Sequence, residues 1–172
     1  MARGAVGSAV FFVVAPGTVV GLVPWLITDW QRPGEIPVVL AVVGWSMVLL
    51  GAGVLLTAFR QFVVEGLGTP APVAPTDRLV VGGLYRHVRN PMYLALYAAI
   101  GGQAVVFESL GVLWWLLVVA IATFLFVTFY EQPALRSRYG AAYDDFCAAV
   151  PGWWPRWTPY QPDLAPERHR QP

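Results

Sequence analysis

The chain has 172 residues, of which 57% are hydrophobic and only 12% charged, and its mean hydropathy is +0.58. So few polar side chains cannot cover a water-soluble globule, whereas a lipid solvent removes the need to. A net charge of +1 without a groove-forming signature gives no case for nucleic acid, and the lone Cys147 excludes an intramolecular disulfide and a cysteine-cluster metal site.

Charge-free runs occupy Ala5 to Ile27, Ile36 to Phe59, Pro91 to Phe107 and Ser109 to Tyr130. A hydrocarbon core of roughly 30 Å needs about 20 helical residues, which the first, second and fourth runs supply. The third is short: it either stops early or packs as half of a helical hairpin with the fourth, turning at Glu108 and Ser109. For any single run the alternative is a buried helix of a soluble core, and for the first it is a cleaved secretory signal. That first run exceeds a usual signal core, carries Pro16, Pro24 and Trp25, and is followed by further apolar segments. The predicted fold is therefore an all-α integral membrane protein with four transmembrane helical segments and a cytoplasmic interfacial amphipathic helix. It reads as one domain over 1–172: two helices in 1–60, a loop, hairpin and interfacial helix in 61–160, and a tail in 161–172.

Arginines set the orientation, because cations flanking membrane segments stay in the cytoplasm. Between the first two runs Arg32 stands against Asp29 and Glu35, and the turn between the last two has no cation. Arg3, Arg60, Arg78, Arg86, Arg89, Arg136, Arg138, Arg156, Arg168 and Arg170 fall on the other side, so both termini and the central loop are expected in the cytoplasm. Eleven arginines and no lysine fit a GC-rich bacterial genome, hence a bacterial cytoplasmic membrane.

The first two helices hold almost nothing able to do chemistry and read as scaffold, with Gly44, Gly51 and Gly53 permitting close helix approach. From Gln61 to Asn90 a polar loop follows, whose Gly66, Gly68, Pro70, Pro72 and Pro75 favour an extended, polyproline-like path. At its end Asn90 can cap the helix that Pro91 begins. Beyond the fourth run Glu131 ends the apolar stretch and Pro133 can open an amphipathic helix in which Leu135, Tyr139, Tyr143, Phe146 and Val150 share a face. Trp153, Trp154 and Trp157 suit the headgroup layer, and the tail from Gln161 to Pro172 is polar and proline-containing.

Two clusters with chemical potential fall on one membrane face: Tyr85, Arg86, His87, Arg89, Asn90 and Tyr93, and Glu131 with Tyr139 and Tyr143 behind it. A carboxylate beside an apolar run is costly to bury without a cationic or hydrogen-bonding partner. Each residue also has a plainer reading. Arg86 and Arg89 serve equally as topology anchors, the tyrosines as belt aromatics, His87 as a solvated loop residue and Glu131 as a helix-end residue facing water. No Ser-His-Asp set, phosphate-binding glycine loop or dinucleotide fingerprint is present.

At these residues the sequence resembles the membrane methyltransferase superfamily that includes isoprenylcysteine carboxyl methyltransferases and phospholipid N-methyltransferases. Leu79-Val80-Val81-Gly82-Gly83-Leu84-Tyr85-Arg86-His87-Val88-Arg89-Asn90-Pro91-Met92-Tyr93 resembles its pattern L-V-x-x-G-x-Y-x-x-x-R-[HN]-P-x-Y. Glu131-Gln132-Pro133-Ala134-Leu135 through Tyr139-Gly140, Tyr143 and Val150-Pro151 resembles its second block, E-E-x-x-L-x-x-x-[FY]-G-x-x-Y ending in V-P. The likeness spans roughly Gly66 to Pro155. It implies S-adenosylmethionine as cofactor and S-adenosylhomocysteine as product, with Leu79, Val80, Tyr85, Arg89, Asn90, Pro91, Met92, Tyr93 and Glu131 forming the pocket. It implies no metal. A carboxylate can hold the cofactor's ammonium or ribose hydroxyls, an arginine its carboxylate, and aromatics its adenine or sulfonium.

Methyl transfer from a sulfonium expels a neutral thioether, so alignment in a dry site matters more than acid or base help. The expected partners are membrane lipids and a lipophilic methyl acceptor entering from the bilayer through a cleft between the third and fourth helices. Departures touch the acceptor side: Gln132 replaces a second acidic residue, Asn90 a common histidine, Phe146 a common tyrosine, and Val127 an arginine of the carboxyl methyltransferases. Gln132 favours a competing reading, a non-catalytic membrane scaffold that keeps the fold. A transporter fits less well, since the spans carry almost no midplane charge.

Overall fold

The computed structural model describes residues 14–32, 34–66 and 79–161. Helix α1, Val14–Thr28, widens into π geometry over Gly17–Leu22 before Pro24 enters its last turn. Widening frees carbonyls from the α ladder, and in an apolar surrounding each must find a donor. The Val19 carbonyl accepts from Trp115 Nε1 and that of Val20 from Gln103 Nε2, both at 2.8 Å. These bonds stitch α1 to the two helices that carry Gln103 and Trp115, Pro91–Val106 and the one beginning at Leu110. The chain then reverses through Asp29 and Trp30, both left-handed (φ 47° and 53°), with Thr28 Oγ1 accepting from the Trp30 amide.

Helix α2 runs Val38–Gly66 and so takes in the first six residues of the segment expected to be loop from Gln61. Glycine at 66 alone does not stop a helix that an apolar run propagates. The proline-rich stretch expected to be extended lies outside the described residues. Helix α3, Pro91–Val106, and helix α4, beginning at Leu110, form the expected hairpin. Ser109 caps α4 by accepting from the Val112 amide, and Glu108 makes the turn at φ 46°.

The broadest helix contact is between α2 and α3. A Cβ at Gly51 would lie 2.7 Å from the Ala95 carbonyl oxygen and 2.9 Å from the Ala99 nitrogen, while one at Gly44 would lie 2.9 Å from the Gly102 carbonyl oxygen. Backbones this close require small residues on both sides. Gly53, also expected at the contact, faces open space. Gly51→Leu should therefore lower stability by about 1–3 kcal/mol through overpacking, whereas Gly53→Leu stays within about 0.5 kcal/mol. Thermal melting of the two variants in detergent separates them.

Glu131 does not end a helix and Pro133 does not begin one. α4 is continuous over Leu110–Tyr139, with a π turn at Val127–Glu131 directly ahead of the proline. A proline inside an α-helix loses a donor and pushes against the carbonyl four residues earlier, and a π turn there relieves both faults. The predicted amphipathic helix is cut in two at Gly140, whose φ of +53° turns the chain into α5, Ala141–Ala149. Its predicted face survives the corner, because Leu135, Tyr139, Tyr143, Phe146 and Val150 pack in one cluster with Val80 and Tyr85. Arg136 and Asp144 pair across the corner at 2.7 Å, both exposed, so solvent screening leaves the contact little weight in stability.

Val38, Val39, Leu49 and Leu50 on α2, and Leu113, Trp114, Val118, Ile121 and Phe129 on α4, are exposed large apolar side chains. An outward face of that kind matches a lipid solvent. Val38–Gln61 and Leu110–Tyr139 are long and apolar enough to cross a membrane, while Val14–Thr28 and Pro91–Val106 are shorter apolar helices.

Candidate functional site

The segment Leu79 to Asn90 is extended to Gly82 and coils into a 3-10 turn at Gly83–Arg86. Gly83 holds φ +47°, and the Gln61 side chain of α2 accepts the Leu84 amide at 3.3 Å. Gln61 thereby fixes this entry segment to the end of a helix that read as chemically blank. Ala58, one turn back, is fully buried in the cluster with Val80, Tyr85, Tyr143, Phe146 and Val150. The scaffold helix is thus part of the site's foundation.

The other side is fixed by Pro151 to Tyr160, which lies against residues 86–89. The Arg89 amide donates to the Pro151 carbonyl (3.0 Å), the Arg156 amide to the His87 carbonyl (2.9 Å) and the Tyr160 amide to the Arg86 carbonyl (2.9 Å). Arg86 Nε donates back to the Tyr160 carbonyl, and His87 Nδ1 meets the Arg156 carbonyl at 2.8 Å. Arg86 and His87 are therefore neither lipid anchors nor free loop residues. Their side chains hold this C-terminal strap in place.

Between the entry segment, α4 and α5 lies a cavity of about 70 Å³. Leu79, Val80, Tyr85, Arg89, Asn90 and Glu131 line it, so two sequence blocks some forty residues apart meet there. Pro91, Met92 and Tyr93 stand behind this wall: Pro91 occupies the first turn of α3, Met92 packs on the adjoining cluster, and Tyr93 Oη donates to Glu131 Oε2 at 3.0 Å. Asn90 precedes α3 as expected, but its side chain makes no capping bond and is buried at 8% exposure on the cavity wall.

Val127, Gln132, Leu135, Tyr139, Tyr143 and Phe146 complete the lining. In the sequence Tyr139 and Tyr143 stood behind Glu131 and shared a face with Leu135 and Phe146, while Val127 and Gln132 stood only as departures from a motif. The signal that finds Val127, Leu135 and Tyr139 is their spacing at intervals of four with Glu131, which puts them on the helix face bearing the carboxylate.

Arg89 Nη1 donates to Cys147 Sγ at 2.7 Å, while its Nε is buried without a partner. Burial and the adjacent Cys147 thiol push the Tyr143 phenol above its ordinary value, which keeps it a neutral hydroxyl. An orphaned guanidinium donor, a wall carboxylate and a buried amide make a donor and acceptor set suited to a zwitterionic ligand. Typical small-molecule pockets hold about 300 Å³ or more, so a nucleoside-sized guest requires these walls to part.

The expected cleft between α3 and α4 is bridged. Tyr93 to Glu131 and, a turn deeper, Tyr97 to Thr123 form hydrogen-bonded rungs across it. Trp153 lies on the seam rather than in a headgroup belt, with ring centroids 6.2 Å from Tyr93 and Tyr97 and 6.0 Å from Phe124. Trp154 and Trp157 are exposed at 82% and 98%. No group of metal-ligating side chains occurs among the described residues.

A search among curated proteins finds no match to the chain. The model of a family described as phospholipid methyltransferase matches residues 39–142, taking in α2, the entry segment, α3 and all of α4. That match covers more than half of the sequence and both sides of the Tyr93 to Glu131 contact, and by it the chain belongs to the phospholipid methyltransferase family.

Proposed function

We propose that this membrane protein transfers a methyl group from S-adenosylmethionine to a lipid or lipophilic small molecule at the cytoplasmic face. In this reading all four helices cross the bilayer and both termini are cytoplasmic. The observation that carries it is Glu131, brought to Tyr93 on one wall of the cavity that both sequence blocks line.

When bound, S-adenosylmethionine supplies a methyl group activated on a sulfonium. Glu131 would hold its ammonium or ribose hydroxyls, with Tyr93 orienting the carboxylate, and Arg89 would take its carboxylate through the free Nε. Leu79, Val80, Tyr85, Asn90, Pro91 and Met92 would shape and support the pocket. Tyr139 and Phe146 add aromatic surface on which a sulfonium or an adenine ring can rest. Apolar walls exclude water from the line of transfer.

The lipophilic part of the acceptor is placed along the α3/α4 seam, where Trp153 packs on Tyr97 and Phe124. Trp153→Ala should raise the KM for phosphatidylethanolamine in mixed micelles about 3- to 10-fold, with S-adenosylhomocysteine affinity changed less than about twofold. An equal loss in both would place Trp153 in the cofactor site instead.

Calorimetric titration of S-adenosylhomocysteine into detergent-purified protein tests the reading: saturable one-site binding is expected. Absence of binding would favour the scaffold reading, for which Gln132 on the cavity wall is the specific argument. A reporter fused after Pro172 should be active only in the cytosol, and activity on the opposite side would overturn the orientation.

A further inference from the structure

The opposite end of α2 carries a second recess. From Val38 to Gln61 the helix rises about 36 Å over 24 residues, so its first residues lie about a membrane's width from Gln61, which ties the entry segment. There Arg32 and residues 34–36 line, with α2, an open groove of about 660 Å³. Its wall is apolar, formed by Val38, Val42, Trp45 and Leu49, and its rim bears Arg32 and Glu35.

No salt bridge joins these two charges to each other. The Arg32 guanidinium instead lies over the Trp45 ring, 6.0 Å from its centroid. A cation and an anion lining one apolar slot form a template for a headgroup carrying a phosphate and an ammonium. An anionic headgroup would satisfy Arg32 but face Glu35, and an uncharged one would leave both unpaired.

We infer that this groove binds a phosphatidylethanolamine-type phospholipid, with Arg32 and Trp45 at the phosphate, Glu35 at the primary ammonium and an acyl chain along Val38, Val42 and Leu49. The site is separate from the cytoplasmic cavity and does not depend on the methyltransferase reading. A diacyl chain in the slot anchors the otherwise exposed N-terminal half of α2 to its leaflet, and the paired charges choose the zwitterion.

The test is native mass spectrometry of the detergent-purified full chain titrated separately with palmitoyl-oleoyl phosphatidylethanolamine, phosphatidylglycerol and diacylglycerol. Phosphatidylethanolamine should be retained most strongly. Arg32→Ala should weaken it about fivefold, the worth of one interfacial cation, and Glu35→Gln should shift preference toward phosphatidylglycerol by a similar factor. Glu131→Ala, at the other end of the molecule, should leave this binding unchanged. Equal retention of all three lipids, tighter binding of phosphatidylglycerol by the unaltered chain, or loss through Glu131→Ala but not Arg32→Ala would each overturn the proposal.

Discussion

Glu131→Ala should weaken S-adenosylhomocysteine binding at least about 30-fold, the largest effect expected of any single change in the cavity. The carboxylate sits on the cavity wall and accepts from Tyr93 Oη at 3.0 Å. Its removal takes away the partner proposed for the ligand's cationic or hydroxyl groups and strands a tyrosine donor in an apolar seam. Truncating one member of a buried, hydrogen-bonded charged pair costs about 2–5 kcal/mol, and 1.4 kcal/mol is tenfold in affinity. Glu131→Gln keeps shape and an acceptor oxygen, so its loss should be about tenfold. Calorimetry on both variants, with melting curves to confirm folding, separates the charge from the scaffold. Unchanged affinity in Glu131→Ala would remove the carboxylate from the ligand.

Arg89→Met should reduce the same affinity about 10- to 100-fold, because hydrogen bonds to charged groups contribute about 1.5–3 kcal/mol each. Methionine preserves the packing of the stem but loses both the contact to Cys147 Sγ and the unpartnered Nε. The strap should be undisturbed, since it is tied to this residue by the backbone, through the Arg89 amide and the Pro151 carbonyl. Lysine should rescue poorly: its point charge cannot reproduce a planar fork that serves two partners. Full recovery in Arg89→Lys would show that charge alone matters there. Unaltered binding in Arg89→Met would place the ligand's carboxylate elsewhere.

How far the sequence foretells this arrangement depends on whether a local pattern or a long-range meeting decides it. The α3/α4 hairpin was legible because Ser109 and Pro91 are strong local punctuation and both act where expected. The shared face of Leu135 through Val150 was legible because helical spacing outlasts a corner, although the Gly140 break in it was not. Pro133 misled, since the rule that proline opens a helix has an exception wherever a π turn precedes it. Asn90 misled in a similar way: its position is a cap's position, yet the cavity wall claims its side chain. Six of the nine candidate pocket residues line the cavity and Pro91, Met92 and Tyr93 stand behind it. That split depends on which way each side chain turns, which spacing within an irregular segment does not encode. Least legible were Gln61 and Ala58, ordinary residues of an apolar helix whose importance arises only from what folds onto them.

The strap has a bearing on biosynthesis. Arg86 and Tyr160 are 74 residues apart, a stretch a ribosome needs some 4–15 s to make at about 5–20 residues per second. All of the apolar helices have been translated before the final ten residues of that span, so membrane insertion can run ahead of completion of the site. A nascent or truncated chain ending short of Pro151 would retain its hydrophobic helices while lacking the three backbone ties that join Arg86, His87 and Arg89 to the strap. Completion of the cavity-lining entry segment therefore waits on residues 151–160, although the apolar helices do not.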